Sequence, residues 1–236
     1  MIDWKRRCES LQQELLSLVH AVSHDLRAPL RAADGFSRVL LTRHAAELDP
    51  QALDYLQRIR AATGLMGSHI DALTRLARVT TAELRAQKVD LSAIARSVVD
   101  ELRDGEPERQ VEVRLADGLE TEGDLSLLRT LMTNLIGNAW KFTSRHPGAT
   151  IELGRQEGVE TAYFVRDTGA GFDMSFSSHL FEPFGRMHPE SDYPGVGIGL
   201  ALCRRVIHRH GGRIWAEAAP GKGATFWFTL GQIEKE

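Results

Sequence analysis

Apolar side chains recur at Trp4, Cys8, Leu11, Leu15, Leu18 and Val22, in alternating steps of four and three. A heptad seam of this kind commits a chain to one long helix packed against other helices. The seam continues through Leu26, Pro29, Ala33, Phe36 and Leu40. Its two consecutive fours, Leu18 to Val22 to Leu26, form a stutter that shifts the stripe locally. Unbroken, the helix would run roughly 60 Å at about 1.5 Å per residue. Pro29 is expected to bend it, because the ring removes an N–H and crowds the preceding turn. A second helix opens at Asp49, a good N-cap, with Pro50 in the first helical position. Leu53, Leu56, Ile59, Thr63, Met66, Ile70, Leu73 and Leu76 then follow at threes and fours. The connection, near His44 to Leu48, is short, so the pair reads as a helical hairpin. Two helices cannot cover both of their own apolar stripes; a dimer forming a four-helix bundle can.

Beyond Val79 the periodicity changes. Val89–Leu91 reads as a short strand, Ser92–Leu102 as a helix, and the alternation from Gln110 to Leu115 as a half-buried strand. Asp124 is placed to cap a helix reaching about Phe142. Strands are expected at 150–156, 161–167, 213–218 and 224–230, with a helix at 198–210 and a glycine-rich loop from Asp167 to Gly197. Pro220 to Gly223 forms a turn between the last two strands. Two domains are therefore expected: an all-α helical domain at 1–82 and an α+β domain at 83–236. The 236 residues suffice for both.

Lys and Arg total 29 against 32 Asp and Glu, a net charge of −3. That balance supplies no general attraction to nucleic acid or to an anionic membrane. Two cysteines, Cys8 and Cys203, make no disulfide framework or cysteine-rich zinc site, and a reducing cytoplasm is the simplest setting. No apolar run approaches the ~20 residues of a membrane span.

Four clusters in the second domain carry the chemistry. Asn134, Asn138 and Lys141 fall at i, i+4 and i+7, on one helical face. Amide oxygens and an ammonium aimed at one spot suit Mg²⁺ and phosphates, although a polar solvent face would look the same. Asp167-Thr-Gly169-Ala-Gly171 follows a strand; its glycines allow close backbone approach to a ligand, and its carboxylate can accept from an exocyclic amine. Phe181-Glu-Pro183-Phe184-Gly-Arg186 brackets a proline with aromatics and reads as a loop anchor. Gly195-Val-Gly197-Ile-Gly199 runs into a helix and can offer backbone N–H groups to an anion. It lacks the Gly-Lys-Ser/Thr of a Walker loop.

Taken in order, these clusters resemble the N, first glycine, F and second glycine boxes of two-component sensor histidine kinases. Ser23-His24-Asp25-Leu26-Arg27-Ala28-Pro29-Leu30 resembles the phosphoacceptor box of the same family. The likeness runs from about His20 to Leu230 and is greatest to kinase modules attached to PAS or phytochrome-type sensors. It implies a GHKL-type ATP-binding sandwich behind the dimerising hairpin. It also implies ATP and Mg²⁺ as cofactors, with Asn138 on the metal, Asn134 near the phosphates and Lys141 on a phosphate. Phe142 would pack on adenine and Asp167 would bind its amino group, with Gly169 and Gly171 shaping the pocket. Gly195, Gly197 and Gly199 would hinge a lid, and Arg186 would reach toward the phosphates. The implied partners are a second copy of the chain, the receiver domain of a response regulator, and an upstream sensor that this chain does not include.

His24 lies two residues from both Val22 and Leu26, a 200° rotation that turns it off the seam toward solvent. A neutral imidazole carries a lone pair that can attack the γ-phosphate of ATP. Asp25 is adjacent and could orient the ring; the resemblance makes it the general base. His20 and His24 could instead be an i, i+4 metal pair, but no third ligand accompanies them. Ala28 stands where the family often has Thr or Asn, residues that support dephosphorylation of the partner, so the resemblance does not extend to phosphatase activity. Thr168 replaces a common Asn.

Overall fold

The computed structural model describes residues 3–81, 83–158, 160–189 and 191–231, and all their side chains except those of residues 3–6, 8, 9 and 176. The side chains of the seam positions Trp4 and Cys8 fall outside this description, as does Ala82 at the expected domain boundary. The chain divides into two compact units, Met1–Thr81 and Ala82–Glu236.

The first unit is a helical hairpin. Helix α1 spans Asp3–Arg43 and α2 spans Pro50–Thr81, joined through a single 3₁₀ turn at Ala45–Glu47. Helix α1 runs on through Pro29. Helix α2 begins as its first residues dictate: the Ala52 N–H donates to Asp49 Oδ1 at 2.7 Å. The two helices meet over small and polar side chains, with Ser23, Ser37, Thr63, Thr74, Ala72 and Ala77 buried beside Ile70 and Val79. The buried hydroxyls of Ser37 and Thr63 return to their own helix, donating to Ala33 O and Ile59 O, which satisfies them without a partner across the hairpin. Cross-helix ion pairs join Arg27 to Asp71 at 2.9 Å and Arg60 to Asp34 at 3.0 Å.

The second unit is a sheet backed by helices. Strand β1 (Gln87–Asp90) leads into α3 (Leu91–Gly105), β2 (Glu112–Leu115), β3 (Glu120–Gly123) and α4 (Leu125–Phe142). Next come β4 (Thr150–Gln156), β5 (Ala162–Asp167), a 3₁₀ turn at Met174–His179, α5 (Gly199–Arg209), β6 (Ile214–Ala218) and β7 (Ala224–Thr229). The main sheet has the order β2-β4-β5-β7-β6; β2 and β4 are parallel and the other pairs antiparallel. Strand β3, a polar Glu-Thr-Glu-Gly segment that the alternation does not reveal, pairs with β1 in a separate two-stranded sheet. One face of the large sheet supplies Ile151, Leu153, Val165 and Phe228 to the core, and the helices supply Leu128, Leu131, Leu135, Ile136 and Ile207. Each such side chain, fully buried, stabilises the unit by roughly 1.5–3 kcal/mol. No helix among the described residues is long and apolar enough to cross a membrane.

Two caps fix where α3 and α4 begin. Asp90 accepts from the N–H groups of Ser92 and Ala93 at the start of α3. Asp124 accepts from Leu127 N–H at the start of α4, and its other oxygen accepts from Arg85 N–H. The far end of α4 is held by Arg109, whose guanidinium donates to Trp140 O and Thr143 Oγ1 and lies 4.5 Å over the Trp140 ring. A cation at a helix C-terminus also suits the dipole.

Candidate functional site

In the hairpin, Ser23 is buried and its Oγ lies 3.2 Å from Thr74 Oγ1 on the facing helix. One step along α1 rotates the next side chain by about 100°, and His24 emerges with 83% of its side chain exposed. Asp25, equally open at 82%, sets Oδ1 3.2 Å from His24 Nδ1. A carboxylate oxygen accepts, so this contact fits the tautomer with the proton on Nδ1, which leaves the Nε2 lone pair free. The described residues contain no cluster of three or more His, Cys, Asp or Glu that could hold a metal ion, so the His20–His24 pair gains no third ligand of those types.

In the second unit the four sequence clusters converge. Asn134 Nδ2 donates to Thr130 O at 2.7 Å, which turns Oδ1 toward the start of α5; a Cβ on Gly199 would sit 2.8 Å from that oxygen. Asn138, one turn further, is half-buried. Lys141 Nζ stands 4.2 Å above the Phe142 ring, and a Cβ on Gly195 would meet it at 3.6 Å. Burial, and then the Arg186 guanidinium, push the Lys141 ammonium below its ordinary pKa. No carboxylate contributes to that shift, and the place where the two cations meet therefore favours an anion.

Asp167 ends β5 and is only 3% exposed. Its Oδ1 accepts from Gly169 N–H at 2.9 Å. Burial raises its pKa to about 6, against the opposing pull of the Gly169 and Ala224 N–H groups. The loop after it is packed from both sides: Ala170 N–H donates to Phe142 O at 3.1 Å, and Gly221 N–H donates to Ala170 O at 2.7 Å. A Cβ on Gly169 would collide with Phe142 O. At Gly171 (φ 57°) it would collide with Ala219 O, and at Gly223 (φ 80°) with Asp167 O. Thr168 explains its own departure from Asn: its Oγ1 accepts from Thr150 N–H at 2.8 Å, and its N–H donates to Thr150 O.

The Phe181–Arg186 segment is joined to both α5 and the glycine hinge. Glu182 pairs with Arg204 at 2.8 Å, and a Cβ on Gly197 would touch Gly185 O and Arg186 Cγ. Phe184 is 40% exposed and holds a positive φ of 66°. Arg186 donates to Tyr193 O at 3.0 Å and to Gly195 O, so in this arrangement its guanidinium is spent within the loop. The unit thus gathers a buried carboxylate, two amides, two cations and close-packed glycine backbone at one end of the sheet. That donor set fits an adenine ring followed by a metal-bound polyphosphate: a hard amide oxygen for the metal, and cations for the phosphates.

Comparison with known proteins identifies the family of both units. Residues 14–82 match the family model described as the His Kinase A (phospho-acceptor) domain. Residues 123–233 match the one described as Histidine kinase-, DNA gyrase B-, and HSP90-like ATPase. The chain belongs to the sensor histidine kinases. This kinase core is 30% identical to "Phytochrome-like protein Cph1" of Synechocystis over 95% of its own length and 30% of that protein's. It is 34% identical to "Cyanobacterial phytochrome A" of Nostoc over 94% of its length and 29% of that protein's. It thus spans about 30% of the phytochrome relatives it matches. Among solved structures, full-length ShkA in complex with AMPPNP is similar at 27% identity, with a TM-score of 0.63, over 91% of this chain and 45% of that one. The mycobacterial sensor histidine kinase MprB shares the fold at a TM-score of 0.52 over 63% of the chain.

Three features of the kinase core escape a reading by motif. His210 is buried at 1% exposure, its Nε2 accepting from Asp124 N–H at 3.0 Å while Nδ1–H donates to Val206 O at 2.8 Å. It ties the end of α5 to the cap of α4, and burial lowers its pKa below the ordinary histidine value. Gly123 leaves it room, since a Cβ there would lie 3.1 Å from the imidazole. His188 and Tyr193 also pack against Phe142. A histidine and a tyrosine inside an otherwise Gly, Pro and Ser-rich loop are the available signal.

Proposed function

We propose that this core binds ATP with Mg²⁺, phosphorylates itself at His24, and passes the phosphoryl group to an aspartate on the receiver domain of a response regulator. The observation that carries the reading is His24 itself: an exposed imidazole whose Nδ1 is held by Asp25, in a chain whose second unit collects the nucleotide-binding groups.

In the proposed step the Nε2 lone pair of His24 attacks the γ-phosphorus and the bond from that phosphorus to the β,γ-bridging oxygen breaks, releasing ADP. Asp25 keeps the Nδ1 proton in place and stabilises the imidazole as positive charge develops, then takes up that proton. Asp167 would accept the adenine amino group, with Gly169 and Gly171 admitting the base and Phe142 packing on it. Asn134 and Lys141 would face the phosphates, and Gly195, Gly197 and Gly199 would hinge the lid. Arg186 would reach a phosphate only after releasing the lid carbonyls. Asn138 would hold Mg²⁺, which supplies charge neutralisation along the phosphates when bound.

The working unit is proposed as a homodimer whose α1 and α2 faces form a four-helix bundle. Its support is the apolar seam left open on a single copy, with Leu18 at 60% and Phe36 at 73% exposure. A signal from a PAS or phytochrome-like sensor would enter through the N-terminal heptads, in the cytoplasm. The test is incubation with γ-labelled ATP and Mg²⁺. Label that is acid-labile, base-stable and absent from His24→Ala is expected. ATP turnover that His24→Ala leaves untouched would sink the reading.

A further inference from the structure

The loop before the glycine hinge carries two packed rings, His188 and Tyr193, that none of the proposed catalytic roles uses. Tyr193 is 6% exposed although it sits among Ser, Asp, Pro and Gly. Its ring centroid lies 5.0 Å from that of Phe142 and 5.3 Å from that of His188, and His188 lies 5.3 Å from Phe142, closing a triangle. Aromatic pairs at such tilted geometries attract beyond their buried area. Two of the triangle's corners are fastened further. His188 Nε2–H donates at 2.8 Å to Gly171 O, in the Asp167–Gly171 segment. Arg145 stacks 5.2 Å from the Tyr193 ring and pairs with Asp192 at 3.1 Å. Arg186 donates to Tyr193 O.

We propose that Tyr193 and His188 are positioning residues for Phe142 and the Asp167–Gly171 loop, so that the hinged loop is seated on the adenine pocket rather than on the phosphates. The inference rests on the proposal that this unit binds ATP. The physical link is direct. One side of the triangle is the ring assigned to adenine, another is bonded to the loop assigned to adenine, and the third is the segment leading to Gly195. Loosening the triangle frees the Phe142 ring and the Gly171 carbonyl together. The base then loses its ordered walls whichever phosphates accompany it.

The test is equilibrium dialysis of labelled ATP and of labelled ADP, with Mg²⁺, against the full chain and three variants, each also followed by thermal melting without nucleotide. Tyr193→Ala and His188→Leu are expected to raise the Kd for ATP and ADP alike, by about three- to tenfold for one lost aromatic contact. Tyr193→Phe, which keeps the ring, is expected to stay within about twofold of the parent chain. Tyr193 is buried, so if Tyr193→Ala does not fold, the half-buried His188→Leu decides. Parent-like Kd values in a folded variant overturn the inference while leaving the nucleotide reading intact. A loss confined to ATP also overturns it, because the loop would then act at the γ-phosphate. A parent chain that binds neither nucleotide overturns the nucleotide reading and this inference with it.

Discussion

The two units bury their side chains by different rules. In the helical hairpin the contact between α1 and α2 is made of Ser, Thr and Ala with few large residues, while Leu11, Leu15, Leu18, Val22, Leu26 and Phe36 stand exposed. In the sheet unit the large residues are inside: Leu128, Leu131, Leu135, Ile136, Ile151 and Phe228 are each at 0% exposure. The first unit leaves an apolar stripe open, which the proposed dimer would cover, and the second buries its own. The hairpin's stability should depend on concentration and the sheet unit's should not.

The widest separation comes from one substitution in each unit. Leu131→Ala should cost the sheet unit about 2–5 kcal/mol, the usual range for a fully buried leucine, read by denaturant unfolding. Leu18→Ala should barely move unfolding at the lowest concentrations, yet weaken self-association by at least roughly tenfold, since two copies lose the contact. Sedimentation over a concentration series measures it. Equal effects of both changes on unfolding would erase the distinction.

Next in size is Asp167. Its folded pKa of about 6 lies above the ordinary 3.8, so the stability it contributes is present below pH 4 and lost as pH rises through 6. At pH 7 the buried charge costs on the order of 3 kcal/mol. Asp167→Asn should therefore stabilise the ligand-free unit at pH 7 and, on the proposed reading, lose adenine affinity. Melting and nucleotide titration of the same sample would test both. Affinity in the parent chain should fall as pH drops below about 6, where the carboxylate is protonated.

His210 acts in the opposite sense. Its pKa is depressed in the folded state, so the unfolded chain takes up the proton first and stability is lost as pH falls below the ordinary histidine value. In the parent chain Asp167 offsets part of that loss. In Asp167→Asn the fall below about pH 6.5 should steepen. A pH profile unchanged by the substitution would contradict the pairing. The smallest effect expected is at the surface: Arg60→Ala removes a pair whose side chains are 42% and 43% exposed, and should change hairpin stability by less than about 1 kcal/mol.

Much of this organisation is legible in the sequence because it is local. Asp49-Pro50 and Asp124 announce helix starts by capping chemistry, and the alternation of β4, β5 and β7 follows from one buried face. The glycine clusters are readable because few residues tolerate such close backbone approach. What escapes is set by distant neighbours. Strand β3 has no apolar alternation, and is a strand only because β1 pairs with it and Leu91 N–H reaches Leu119 O. His210 reads as one of nine histidines, and its burial depends on Gly123 and Asp124, more than eighty residues earlier. The roles of His188 and Tyr193 depend on Phe142 being delivered by α4, about fifty residues earlier.

The turn between the last two strands also sets an order of events during synthesis. Gly223 packs on the Asp167 carbonyl, Gly221 holds Ala170, and Ala224 N–H steadies the Asp167 carboxylate. Strand β7 enters the sheet between β5 and β6, so these supports arrive only after residues 220–229 have left the ribosome. The hairpin, built from contacts between neighbouring helices, can form long before. On the proposed reading, a growing chain would thus present its phosphoacceptor while it still has no finished pocket for the phosphoryl donor, and a chain cut short before residue 220 would pair with longer copies without binding nucleotide.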